Sequence, residues 1–379
     1  MNIFYDENMP FAQEFFTDLG NLHSFSGREL QAEDIKDADV LLVRSITQVN
    51  AALLAQAQQL KFVGTATIGT DHIDQAYLKQ QGIAFYSAPG CNAISVAEYV
   101  LSALVVLAER YLINLSTLTV GIVGAGNTGS RLAEKLSALD ITYKLCDPLL
   151  EAKQGNANND TRKYYPLDEV LKCDVISLHV PKTMEGEHRT FKLLNEQRLS
   201  ALQNEQILIS ACRGEVIDND ALLRLKEQGH GVKLVLDVWQ GEPNVLEPLV
   251  PFTEIATAHI AGYSLEGKAR GSEMLYQALC NELKIAAKHH LTDFLPAANI
   301  SSIEITQQFD QIVLNQIVKM VYDVRRDDAI FRQQLSEQGF DTIRKTYPVR
   351  REFSSVSVSL SKNAYSDVPH RLGFTKTSN

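Results

Sequence analysis

The chain has 379 residues, 45% of them hydrophobic and 22% charged, a balance that fits two or three globular domains and excludes a disordered or fibrous chain. Thirty-six basic residues against 46 acidic ones leave a net charge of −10. That argues against a nucleic-acid or anionic-membrane partner, both of which need a basic surface, but it permits an anionic small substrate if arginines gather at one site.

The first ninety or so residues alternate short apolar runs with helix-like stretches. Asn2–Tyr5, Val40–Val43, Phe62–Thr65 and Ile83–Tyr86 read as buried strands, with helices over Ala51–Gln59 and Ile73–Gln81. Such alternation predicts a parallel sheet covered on both faces. After Pro89 and Gly90 comes an apolar helix, Ser95 to Arg110. Its most apolar part, Tyr99 to Ala108, lies between Glu98 and Glu109 and is too short for the roughly 20 residues of a membrane span. Asp6 and Glu7 stand where a signal peptide would carry positive charge, so a cytoplasmic protein is expected.

A second series follows, with strands at Thr119–Val123, Thr142–Cys146, Val175–His179, Gln206–Ser210, Leu234–Val238 and Ile255–Thr257. Six strands with intervening helices match a doubly wound dinucleotide-binding fold. The pattern is helical again from Ser264 to His290. The remainder, to Asn379, reads as a small α+β segment: a helix carrying Arg325 and Arg326, a basic stretch from Arg344 to Arg351, and a strand at Ser354–Leu360. Gly155–Asp160 is polar and reads as a surface loop. Cys91, Cys146, Cys173, Cys212 and Cys280 show no C-x-x-C spacing, so reduced thiols are expected, with no metal site and no disulfide framework.

The run TVGIVGAGNTG, from Thr119 to Gly129, is G-x-G-x-x-G at the end of an apolar strand. Gly124 permits the tight turn, Gly126 lets the backbone approach a pyrophosphate, and Gly129 allows close helix–strand packing. The N–H groups of the following helix, from Asn127 and Thr128 on, face the phosphates. Asp147 lies 18 residues after Gly129, near the expected spacing of about 20 for the acid that accepts from the adenosine ribose and repels a 2′-phosphate. NAD is therefore favoured over NADP.

Arg213, Glu242 and His259 each lie just beyond a predicted strand end, where open parallel sheets place their ligands. Arginine can grip a carboxylate through two parallel hydrogen bonds, histidine can exchange a proton near neutrality, and a carboxylate can orient the histidine. Singly, each is more often solvated or structural. Trp239 is as readily a packing residue as a ligand contact, and His72 reads as fixing a local turn.

With these motifs, together with Asp237-Val and the His-Ile-Ala-Gly run from His259 to Gly262, the chain resembles the NAD-dependent D-2-hydroxyacid dehydrogenase family over about residues 35–285. The resemblance implies two doubly wound (Rossmann-like) domains, with a cofactor domain at 94–263 inserted into a substrate or lid domain at 1–93 that 264–288 completes. It implies a small C-terminal α+β dimerisation domain at 289–379. The motifs DENMP from Asp6, VRSIT from Val43, APGCNA from Ala88 and RREFSS from Arg350 resemble one branch of that family. That branch oxidises a phosphorylated hydroxy acid, as a homodimer, in pyridoxal phosphate biosynthesis. By this resemblance Arg213, Glu242 and His259 would be catalytic. Gly124, Gly126, Asn127, Thr128, Gly129, Asp147, Val180, Ala211, Cys212, Arg213, Asp237 and Gly262 would line NAD. Ser45, Thr67 and Tyr263 would bind substrate. Arg44, Arg350 and Arg351 are candidate phosphate cations, the latter two equally readable as surface or interface ion pairs. The rival readings are a D-3-phosphoglycerate dehydrogenase, a hydroxypyruvate reductase, or a non-catalytic NADH sensor of corepressor type.

Overall fold

The computed structural model describes residues 1–154, 160–361 and 366–377. The described residues form two compact units, Met1–Asn92 with Ser264–Ala297, and Ala93–Tyr263 with the chain from Ala298 on. Gly155–Asn159, the body of the expected polar loop, lies outside the described residues.

The first unit is built on a five-stranded parallel sheet. Its strands are β1 (Asn2–Asp6), β2 (Asn21–Phe25), β3 (Val40–Val43), β4 (Phe62–Thr65) and β5 (Ala84–Ser87), in the order β2-β1-β3-β4-β5. All four residues of β3 and of β4 are buried, as expected of central strands covered on both faces. The helix Leu265–Glu282 begins at Ser264, whose hydroxyl accepts from the Gly267 N–H at 2.8 Å. It buries Leu275, Tyr276 and Leu279 in the core formed by Ile3, Phe15, Phe16 and Phe62.

Several expectations need correction here. The sequence signal misses β2, an edge strand exposed at three of its five positions, and the short helix Ala12–Phe16. Ala51–Gln59 forms successive turns rather than a helix. Leu54 and Ala57 are the residues it buries, with Leu60 just beyond it, three apart, and the bonds Ala57 N–H to Leu54 O and Leu60 N–H to Ala57 O follow that tighter period. The helix from Ser264 ends at Glu282 rather than His290, and Lys284 takes a left-handed φ of 58°.

The second unit holds a six-stranded parallel sheet: β6 (Thr119–Val123), β7 (Thr142–Cys146), β8 (Val175–Leu178), β9 (Ile207–Ser210), β10 (Lys233–Leu236) and β11 (Ile255–Ala256). Its order is β11-β10-β9-β8-β6-β7, so the strand order reverses beside β6, where doubly wound sheets bind ligands. The helix Ala93–Tyr111 is buried on nearly every side from Ser95 to Ala108, as an all-round apolar helix should be. Both sheets are doubly wound and parallel.

A small third sheet, β12 (Ser302–Ile305), β13 (Ser357–Leu360) and β14 (Thr375–Lys376), is also parallel. Its strand β13 starts at Ser357, because Phe353–Ser355 forms a 3₁₀ turn. The C-terminal residues Leu314, Val318, Tyr322, Phe353, Val358 and Phe374 share one apolar core with Tyr99, Leu104, Ile122 and Leu136. Among the described residues no helix is long and apolar enough to cross a membrane, no His/Cys/Asp/Glu cluster could hold a metal, and the five cysteines are buried thiols outside any disulfide.

Candidate active site

The glycines of the fingerprint face three different neighbourhoods. Gly124 has φ +91°, and a Cβ there would lie 2.6 Å from the His179 carbonyl oxygen and 2.9 Å from Val180 Cγ1. A Cβ at Gly129 would lie 2.0 Å from the Gly124 carbonyl oxygen. At Gly126 a Cβ would meet nothing within 4 Å. Gly126 is thus small without any demand from the protein's own packing, which fits close approach of an outside group. It also starts the helix Asn127–Ala138 with no side-chain cap, so the first-turn N–H groups of Asn127, Thr128 and Gly129 are left for a ligand. Uncapped donors over an open glycine fit a dinucleotide pyrophosphate.

Asp147 ends β7 and caps the next turn. Its Oδ1 accepts from the Leu150 N–H and its Oδ2 from the Ala125 N–H, both at 3.0 Å. The carboxylate is thereby fixed beside the fingerprint. Arg162 also reaches this loop, donating to the Ala125 carbonyl at 2.9 Å, with its charge matched by Asp160 at 2.7 Å.

The catalytic candidates meet at the ends of β9, β10 and β11. His259 Nδ1 lies 2.7 Å from Glu242 Oε2, and Glu242 Oε1 accepts from the Trp239 N–H at 2.9 Å. The two side chains are 29% and 21% exposed, so the pair is held yet reachable. Burial pushes the Glu242 carboxyl up, but His259, the Trp239 amide and the Arg344 charge outweigh it and hold it below the usual carboxylate range. With Glu242 ionised, Nδ1 carries the proton and Nε2 is the free basic atom.

His259 takes a left-handed φ of 55°, a costly conformation for a non-glycine residue. Asp237 sustains it. The Asp237 carbonyl accepts from the His259 N–H at 2.7 Å, and its carboxylate accepts from Thr257 Oγ1, the Ile260 N–H and the Ala261 N–H. Burial raises the Asp237 carboxyl, and His259 and those three donors oppose the rise. At 1% exposure the Asp237 carboxylate chiefly shapes the turn that ends in Gly262 and Tyr263.

Arg213 leads into a 3₁₀ turn, Gly214–Val216. A Cβ at Gly214 would fall 1.9 Å from the Trp239 carbonyl carbon. Glycine there lets the Arg213 loop lie directly against the Trp239–Glu242 loop, which is why residues distant in sequence converge. Arg213 Nη1 donates back to the Cys212 carbonyl at 2.8 Å. Cys212 is buried, and Ala211 packs against the core. Trp239 is a packing residue: it is 1% exposed, donates to the Thr257 carbonyl and stacks on Phe331 at 5.4 Å.

In the first unit Ser45 is exposed. Thr67 Oγ1 donates to the Gly69 carbonyl at 2.9 Å and lies 2.7 Å from Thr65 Oγ1, which in turn meets His72 Nε2 at 3.0 Å. His72 therefore braces this loop. Arg44 donates to the Asn8 carbonyl at 3.1 Å. Burial, then the Arg44 charge, lowers the Lys268 ammonium to about 8. Lys268 is a second cation beside Arg44 that sequence reasoning missed.

Arg350 is not a surface cation. It is 2% exposed, donates to the carbonyls of Ser95 and Ala261, and lies 3.9 Å over the Tyr322 ring. Sequence reasoning also passed over Arg344, in the same basic stretch, which donates through Nη2 to the Tyr263 hydroxyl at 2.8 Å.

Residues 105–261 match the family described as D-isomer specific 2-hydroxyacid dehydrogenase, NAD binding domain, and residues 294–373 match a domain of unknown function (DUF3410). A curated erythronate-4-phosphate dehydrogenase of Colwellia psychrerythraea is 68% identical over 99% of this chain and 100% of its own length. Its counterpart in Tolumonas auensis is 52% identical over the full length of both chains. Among solved structures, D-lactate dehydrogenase of Aquifex aeolicus, complexed with NAD and lactic acid, is 28% identical with a TM-score of 0.60 over 75% of this chain and 96% of that one. The 3-phosphoglycerate dehydrogenase of Entamoeba histolytica, at 22% identity and TM-score 0.63 over 78% and 99% of the two chains, shares the fold. The chain belongs to the erythronate-4-phosphate dehydrogenase family, among the D-isomer specific 2-hydroxyacid dehydrogenases.

Proposed function

We propose that this NAD-dependent dehydrogenase oxidises 4-phospho-D-erythronate to 2-oxo-3-hydroxy-4-phosphobutanoate, a step in the formation of pyridoxal 5′-phosphate. The observation that carries the reading is the Glu242–His259 pair at 2.7 Å, in the same unit as an open, uncapped dinucleotide fingerprint. The likeness to curated enzymes of that name supports the substrate.

When bound, NAD accepts the hydride that leaves C2. The chain's own residues do the rest. His259 takes the C2 hydroxyl proton at Nε2, since Glu242 holds Nδ1. Glu242, kept ionised by its close donors, steadies the imidazolium that results. Arg213 grips the C1 carboxylate with its planar fork. Ser45, Thr67 and Tyr263 contact the rest of the substrate. Gly124, Gly126, Asn127, Thr128, Gly129, Asp147, Val180, Ala211, Cys212, Arg213, Asp237 and Gly262 hold the cofactor, Val180 through van der Waals contact.

In this reading 1–93 with 264–288 form the substrate domain, 94–263 the NAD domain and 289–379 a dimerisation domain, in a cytoplasmic homodimer. Ile312 and Met320, 66% and 48% exposed on the helix Gln311–Val321, support an association surface there. The test is turnover with NAD on 4-phosphoerythronate beside 3-phosphoglycerate and glycerate. Preference for either of the latter would move the chain to another substrate class within its family.

A further inference from the structure

Three arginines in the C-terminal part of the second unit are paired with carboxylates. Arg325 pairs with Asp323, Arg326 with Asp327 at 2.8 Å and Arg332 with Asp328 at 2.8 Å. Arg344 is different. It lies in the last turn of the helix Phe340–Lys345, and among the described residues no carboxylate comes within ion-pair distance of it. Only its Nη2 finds an acceptor, the Tyr263 hydroxyl, while its buried Nε–H has none. Its guanidinium carbon sits 5.5 Å over the Tyr263 ring and 5.8 Å over the Phe340 ring. Holding a largely desolvated cation without a direct ion pair is costly, and the Glu242 and Asp341 charges that favour it act from beyond ion-pair distance. A protein with a net charge of −10 has many carboxylates that could have been placed there.

The location gives this charge a use. Tyr263 follows His259 by four residues, and its N–H closes the turn onto the Ile260 carbonyl at 2.8 Å. The Arg344 charge is also felt at Glu242. Arg344 thus stands in the neighbourhood of the Glu242–His259 pair with donors to spare. Glu242 is already engaged by His259 and Trp239, so the missing partner is an anion from outside.

We propose that Arg344 is an anion-binding, specificity-determining residue, contributed by the C-terminal segment, that takes the phosphate of a phosphorylated hydroxy-acid substrate. A planar guanidinium fits a phosphate dianion in a way that a point charge does not. The inference rests on the proposed substrate class, and its test separates the two.

The experiment compares wild type, Arg344→Gln, Arg344→Lys and Tyr263→Phe on 4-phosphoerythronate and on unphosphorylated erythronate. Thermal unfolding is measured with and without inorganic phosphate. Removing one partner of a buried charge pair should cost roughly 30-fold or more. Arg344→Gln should therefore lose at least that much more kcat/KM on the phosphorylated acid than on the unphosphorylated one, chiefly through KM, with Arg344→Lys between. Phosphate should raise the melting temperature of wild type and not of Arg344→Gln. Equal losses on both acids, matched by Tyr263→Phe, would make Arg344 a positioning residue for Tyr263 and overturn the proposal. Undiminished phosphate stabilisation of Arg344→Gln would overturn it as well. Failure of wild type to oxidise 4-phosphoerythronate would instead sink the substrate reading, while the phosphate melting shift still tests Arg344.

Discussion

Two buried acid–base contacts in the second unit behave oppositely. At the His259 turn, Glu242 accepts two close hydrogen bonds, at 2.7 and 2.9 Å, and stays below the usual carboxylate range despite burial. In the core between the helices Ala93–Tyr111 and Asn127–Ala138, Glu98 is 0% exposed and meets Lys135 Nζ only at 3.3 Å and the Phe353 N–H at 3.2 Å. There burial prevails over Lys135, Glu352 adds to it, and the Glu98 carboxyl is pushed up to about 7. Short donors, not depth, decide whether a buried carboxylate is ready to hold a proton-exchanging histidine. The Glu98 site instead ties the C-terminal segment to those two helices: Lys135 also donates to the Leu372 carbonyl at 2.7 Å, and Ser95 donates to Glu352 at 2.8 Å.

The largest expected effect is at the proposed catalytic pair, Glu242 and His259. Glu242→Gln keeps the shape but removes the charge that orients and stabilises His259, so kcat should fall on the order of 10²-fold with little change in melting temperature. A loss below tenfold would mean the short bond is ornamental. Next comes the packing that brings Arg213 alongside. Gly214→Ala must push the backbone of Trp239 away, costing about 2–3 kcal/mol of stability, read by denaturant unfolding; an unchanged midpoint would contradict the close approach.

Gly126→Ala should behave in the reverse manner. Its methyl meets no protein atom, so stability should hold while NADH binding, followed by fluorescence titration, weakens about tenfold, some 1.4 kcal/mol. Unchanged NADH affinity would remove the pyrophosphate from that spot.

The smallest effect concerns the core acid. A carboxyl raised from 4.5 to about 7 in the folded state favours folding below pH 4.5, and that contribution is lost as pH rises through about 7. Glu242, with its lowered value, works the other way: its contribution is present above 4.5 and lost as the medium turns more acidic. Melting temperature should therefore decline between pH 5 and 8 more steeply in wild type than in Glu98→Gln. Parallel curves would show that Glu98 titrates as it does in the unfolded chain.

What the sequence made legible follows from how each feature is encoded. The fingerprint reads directly because backbone geometry demands glycine, as the clash at Gly129 and the open space at Gly126 illustrate. Central strands such as β3, β4 and β6 read to the residue, since burial on both faces makes a near-continuous apolar run. Edge strand β2 lacks that run. Ala51–Gln59 has helix-forming residues, but the three-residue spacing of its buried side chains bends it into turns. Arg213, Glu242 and His259 could be singled out because each follows a strand end. Arg344, Arg350 and Lys268 could not be sorted, because whether an arginine or lysine is sealed under a tyrosine or left beside a reactive pair is decided by packing between segments far apart in the chain.

The most direct test of the account is the rate of NADH formation from 4-phosphoerythronate by His259→Ala beside wild type. General acid–base catalysis supplies on the order of 10²–10⁴-fold. The account predicts turnover by wild type and at least a hundredfold loss in the variant, with NADH affinity and melting temperature retained. Turnover within tenfold of wild type would contradict it.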